Sequence, residues 1–203
     1  MVVWRFTIIT NKSDLKEYLN FEKRKIFTGS SRFLFLRVLL GQEKAIIYKF
    51  QKRLRVTEYH KNTGHKIRFF LSQILLKRLS NKTGIHIPVN TFGKGLKIMH
   101  LGSILVNSGS RIGENCSIHI NTAIVARGRE FDDSCPVLGD NIVIGVNAVI
   151  LGNVKIANGI AIGAHALVNK SFLEENIAIA GVPAKKISDN GQSTWGHIQK
   201  SKI

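Results

Sequence analysis

From residue 92 to residue 187 an aliphatic or aromatic side chain returns at every sixth position. One series reads Leu138, Ile144, Ile150, Ile156, Ile162 and Val168, another Phe92, Ile98 and Ile104, and a third Ile112, Ile118 and Ile124. Glycines stand beside them at Gly93, Gly113, Gly139, Gly145 and Gly163. A helix repeats at about 3.6 residues and an amphipathic strand at about 2, so neither accounts for the pattern. Self-similarity at a fixed short period marks a solenoid. The spacing predicts a parallel β-helix in which each six-residue unit makes a short strand and a corner. The repeated apolar residue points inward and stacks on its equivalent in the next coil. Small and polar residues between, as in IGENCS, IGVNAV and IGAHAL, make the corners, where Gly and Asn tolerate a left-handed backbone.

The register breaks twice. The step from Ile104 to Ile112 is 8 residues and that from Ile124 to Leu138 is 14. The second break carries RGREFDDSCP, too polar to stay in the stack, so residues 126–137 are expected to leave it as a loop. Long loops on rigid scaffolds are where function concentrates.

Charge divides the chain near residue 84. Residues 1–83 hold 19 basic and 5 acidic side chains, a net of +14, whereas residues 84–187 hold 9 and 7. The expected organisation is a basic α-helical region over 1–83, a β-helix over 84–187 and a flexible tail over 188–203. Helices are predicted over 13–25 with Ser13 as N-cap, over 43–60 with Ile47, Phe50 and Leu54 on one face, and over 66–80. The last has Ile67, Phe70, Leu71, Ile74 and Leu75 on one face and Gly84 as its stop. These faces are expected to pack on the β-helix and on the other subunits, capping the open coil end. No apolar run is long enough for a membrane span, which needs about 20 residues. The first residues lack the features of a signal peptide. Two cysteines, Cys116 and Cys135, are too few for a disulfide framework, so a cytoplasmic protein is expected. The cationic field of the first 83 residues would suit peripheral contact with an anionic membrane at its inner face. Basic residues interleaved with aromatics are too sparse for nucleic acid to be expected as a partner. The seven histidines are scattered, and no metal-ligand spacing occurs, so no metal is expected.

The repeat, the IxH segment ending in Met99-His100, the excursion loop ending in Pro136 and the terminal Gly181-Val182-Pro183-Ala184-Lys185 resemble the hexapeptide-repeat acetyltransferases, in their serine acetyltransferase-like branch. The likeness covers roughly residues 84–187. It implies a mainly β fold, a left-handed parallel β-helix with an α-helical N-terminal region. It also implies a homotrimer that binds acetyl-CoA between neighbouring β-helices and transfers acetyl to a hydroxyl. His100 falls on the general-base position of the family. Imidazole titrates near neutrality and suits that task. His119, one coil further along, is expected beside it. Gly145, Val146, Ala164, Asn169, Lys170 and Lys185 match positions along the CoA groove, lysine being a suitable point charge for phosphate. Arg127, Arg129 and Cys135 on the excursion loop are expected to meet the acceptor.

The chain departs from the branch where a free amino acid would be held. Met99 and Ile85 stand where the family places Asp, and Ser134-Cys135 stands where it places Arg-His. Serine is a zwitterion and needs fixed opposite charges. The sequence therefore favours a neutral sugar hydroxyl of a cell-surface polysaccharide as acceptor, as in the surface-polysaccharide subgroup. Serine O-acetylation is the alternative, and a non-catalytic scaffold is a third reading.

Overall fold

The computed structural model describes residues 6–27, 34–128 and 135–192. Four helices precede a three-sided parallel β-helix: α1 (Lys12–Ile26), α2 (Leu34–Leu39), α3 (Glu43–Asn62) and α4 (Lys66–Thr83). The first sheet stacks Ile85–His86, Ile104–Val106, Thr122–Val125, Val149–Leu151 and Leu167–Val168. The second stacks Arg111–Ile112, Val137–Leu138 and Lys155–Ile156. The third stacks Lys97–Ile98, Ser117–Ile118, Val143–Ile144, Ala161–Ile162 and Ala178–Ala180, and Lys185–Ser188 closes it antiparallel. Every other pairing is parallel.

The six-residue period becomes the core. Ile98 pairs with Ile118, Ile118 with Ile144, Ile144 with Ile162 and Ile162 with Ile179, and all five are buried. Each such side chain contributes about 2 kcal/mol on burial. The corners take the backbone expected of them, with positive φ at Asn115, Asn121, Asn141 and Asn147. His165, neither Asn nor Gly, shares it at φ 58. Both register breaks fall at the same edge of the prism, between the first and second sheets. The short excursion 107–110 and the ends of the long one, 126–128 and 135–136, therefore lie on one side.

The helices cap the first coil around Arg55, which has no exposed surface. Its guanidinium meets Glu22 of α1 at 2.7 Å and Glu58 of α3 at 2.9 Å, donates to the carbonyls of Phe92 and Gly93, and lies 5.0 Å from the Tyr18 ring centroid. Glu58 in turn accepts from the Asn90 amide at 2.8 Å. One buried cation thus ties two helices to the β-helix.

Three local expectations change. The α1 N-cap is Asn11, whose side chain accepts from the Ser13 and Asp14 amides, because its extended backbone aims the side chain at the first turn. The apolar face of α4, expected against the β-helix and other subunits, does not pack on the β-helix of its own chain and is exposed there, with Phe70 at 64% and Ile67 at 79%. α4 turns Ser72, Leu76 and Ser80 inward, toward α3, where Thr57 Oγ1 donates to the Ser72 carbonyl. The start of the expected flexible tail is anchored, since the Gln192 amide donates to the Gly159 carbonyl at 2.8 Å. Residues 193–203 lie outside the described residues.

Candidate active site

His100 follows the strand Lys97–Ile98 at the edge between the third and first sheets. Its side chain is 60% exposed. Nδ1 lies 3.4 Å from Glu43 Oε2, and the other oxygen of Glu43 accepts the Leu101 amide at 2.8 Å. The first residue of α3 therefore clamps both the imidazole and the backbone beside it. The Leu101 amide holds the Glu43 carboxyl below its ordinary range, and contact with His100 adds to this. An ionised carboxylate only accepts, so in the neutral ring a hydrogen bond to Glu43 places the proton on Nδ1 and leaves a lone pair on Nε2. That is the tautomer a general base needs.

Sequence reasoning missed Glu43. It is the one acid between Glu22 and Glu58 in a strongly basic stretch, but nothing local ties it to a histidine 57 residues away. The contact exists because α3 starts against the edge where the coil turns.

His119 lies on the next coil but one residue out of register. Ile98 pairs with Ile118, so His119 aligns with Met99 and His100 aligns with Ile120. The two-residue excursion lengthens this coil to 20 residues, so His119, 19 residues on, lies on the coil next to His100 but beneath Met99. His119 Nδ1 lies 2.9 Å from the Ile144 carbonyl, which can only accept, so its Nε2 also keeps a lone pair.

Val146 and Ala164 continue the His100 edge. The Asn147 amide donates to Ile120 O at 3.1 Å and the His165 amide to Val146 O at 2.9 Å, which sets His100, Ile120, Val146 and Ala164 in one column. Ala164 is exposed and Val146 half-buried. Gly145 is buried against the following coil, where an added Cβ would sit 2.6 Å from the Ala164 nitrogen. Its glycine is required by coil spacing, whatever ligand lies outside. Asn169 and Lys170 stand at the edge between the first and second sheets, with Lys170 Nζ 5.5 Å from the Phe172 ring centroid. Lys185 is exposed on the closing antiparallel strand. Its neighbour Lys186 is bound to Glu174 and Asp189.

Arg127 and Cys135 also lie at the edge between the first and second sheets. Arg127 packs over Gly152, and Cys135 Sγ is 3.2 Å from Asn107 Oδ1. Arg129 lies outside the described residues. Within one chain, the residues expected around acceptor and cofactor thus divide between two edges of the prism. His100, Val146 and Ala164 stand on one, and Arg127, Cys135, Asn169 and Lys170 on the other.

No family model matches the chain. It is similar to curated proteins named serine acetyltransferase. One, from Buchnera aphidicola subsp. Acyrthosiphon pisum, is 31% identical over 150 residues, which are 73% of this chain and 53% of the relative. Another, from Staphylococcus epidermidis, is 30% identical over 130 residues, 63% of this chain and 61% of the relative. The chain therefore spans about half to three fifths of these relatives. Among solved structures, the soybean serine acetyltransferase apoenzyme superposes with a TM-score of 0.69 at 25% identity, covering 87% of this chain and 70% of that one. The Neisseria gonorrhoeae serine acetyltransferase gives 0.67 at 23% identity, covering 95% of this chain and 73% of that one. The fold is the left-handed parallel β-helix with a helical N-terminal region. The likeness supports a hexapeptide-repeat acetyltransferase. It overturns the expectation of a polysaccharide acceptor, because the relatives and neighbours are named for serine. Asp is absent from the coils at Met99 and Ile85, but a carboxylate, Glu43, reaches His100 from α3.

Proposed function

We infer that this hexapeptide-repeat protein is a serine O-acetyltransferase, drawing acetyl from acetyl-CoA and passing it to the hydroxyl of L-serine. The observation that carries the reading is His100 with Nδ1 facing Glu43 and Nε2 open at an exposed edge. His100 Nε2 takes the hydroxyl proton as the serine oxygen attacks the thioester carbonyl. The carbon–sulfur bond then breaks, and the imidazolium returns the proton to the CoA thiolate. Glu43 positions the ring and stabilises its charged form. Its carboxylate also offers the serine ammonium the negative charge that Met99 and Ile85 do not supply.

The same reading carries a homotrimer. A convex edge excludes little water, and a transfer site needs a second wall. A neighbouring copy presenting the opposite edge would bring Arg127, Cys135, Asn169 and Lys170 across from His100, Val146 and Ala164. CoA would then run along Val146 and Ala164 toward Lys170 and Lys185, whose charges suit its phosphates.

The test is mass-spectrometric detection of O-acetyl-L-serine from acetyl-CoA and L-serine, with thiol release followed in parallel. Serine-dependent thiol release with stoichiometric O-acetylserine is expected. Thiol release that is indifferent to serine would refute the acceptor.

A further inference from the structure

α4 leaves its most apolar face without a partner. Ile67, Phe70, Leu71, Ile74 and Leu75 follow the i, i+3, i+4, i+7, i+8 spacing of one helical face. All five are exposed, by 79%, 64%, 55%, 37% and 44%. The opposite face, Ser72, Leu76 and Ser80, is the one buried toward the rest of the molecule. An apolar face this wide is unusual on a protein surface and marks an interaction site.

The charges around the stripe specify what covers it. Lys66–Thr83 contains Lys66, Arg68, Lys77, Arg78 and Lys82 and no Asp or Glu. All five cations are exposed. At 100° per residue, Lys66 and Lys77 flank the stripe on one side, Arg68 flanks it on the other, and Arg78 and Lys82 extend it toward the helix end. A helix with an exposed apolar face and only positive charge beside it has the build of an interfacial helix. Such a helix lies in the plane of a bilayer with its apolar residues among the acyl chains and its cations at anionic headgroups. A second copy of this chain would bring another unrelieved cationic helix to the same place, so charge complementarity favours an anionic surface over self-association. No helix among the described residues is long and apolar enough to cross a membrane, which fits contact in the plane.

We propose that α4 docks the protein on an anionic lipid bilayer, inserting Ile67, Phe70, Leu71, Ile74 and Leu75 while the basic residues beside them meet the headgroups.

The test uses the full chain and sedimentation with vesicles of phosphatidylcholine alone or mixed with phosphatidylglycerol. Binding to the mixed vesicles is expected, with little to phosphatidylcholine alone and weakening as salt rises. Phe70→Ser/Ile74→Ser should lower binding about tenfold or more. Lys77→Gln/Arg78→Gln should lower it about fivefold for each charge removed. Circular dichroism checks that both variants remain folded. No sedimentation with mixed vesicles overturns the proposal, as does equal binding to both vesicle types. So does undiminished binding by both variants. Light scattering in which Phe70→Ser/Ile74→Ser converts a larger assembly to a smaller one would assign the stripe to another copy and also overturn it.

Discussion

Replacing Arg55 with Met isolates the device that fastens the helices to the β-helix. The substitution keeps an unbranched side chain but leaves Glu22 and Glu58, 1% and 2% exposed, facing each other without their cation. It also strips a donor from the Phe92 and Gly93 carbonyls. Removing one partner of a buried ion pair costs about 3–5 kcal/mol. With two carboxylates and two carbonyls affected, the upper end, about 5 kcal/mol, is expected, a large fraction of a domain's total stability. The pH dependence provides a sharper test than the magnitude. Burial already pushes the Glu22 carboxyl up, opposed by Arg55. Without Arg55 the folded-state Glu22 carboxyl rises further above its unfolded value. A group raised on folding binds more protons in the folded state, so stability falls as pH rises from the unfolded value through the folded one. Urea unfolding of Arg55→Met should therefore show its smallest deficit near pH 4 and its largest near pH 8, relative to the parent protein. Arg55→Met/Glu22→Leu/Glu58→Leu should recover most of the loss, because no charge is then left buried. A deficit below about 1 kcal/mol for the single variant, or one that is flat across pH, would refute the reasoning.

Glu43→Gln should lower kcat about tenfold or more while leaving the KM for acetyl-CoA unchanged, since it disturbs the ring of His100 and not the cofactor edge. Steady-state kinetics decide this, and an unaltered kcat would remove Glu43 from the site. Gly145→Ala should lower the urea midpoint by the equivalent of about 2 kcal/mol, because the new methyl meets the backbone of the next coil, which has no room to move. A variant as stable as the parent would show that the coil spacing yields. Burial pushes the Cys116 thiol up to about 12. In thiol labelling at pH 8 that residue should stay unmodified in the folded protein and react on unfolding. Rapid modification of Cys116 in folded protein would contradict its placement in the core.

The β-helix was readable from sequence because its period is local. Each inward Ile of the six-residue unit reports its own burial, and the Asn corners report their own backbone conformation. The edge that carries both excursions was also readable, since two breaks in register spaced by whole coils must stack. The helices were readable too, but apolar periodicity tells which residues of α4 share a side and not what covers that side. Glu43 and the Arg55 cluster escaped for another reason. Both are pairings between side chains distant in sequence, created only when the helices close over the first coil.

The rate of serine-dependent CoA release by His100→Asn against the parent protein, at saturating acetyl-CoA, tests the central claim most directly. Asparagine keeps a polar side chain at the edge but cannot accept the proton. The account predicts a fall of about 10²–10⁴-fold, with folding and acetyl-CoA binding retained. A rate within a few-fold of the parent protein would show that His100 is not the base and would turn attention to the open Nε2 of His119.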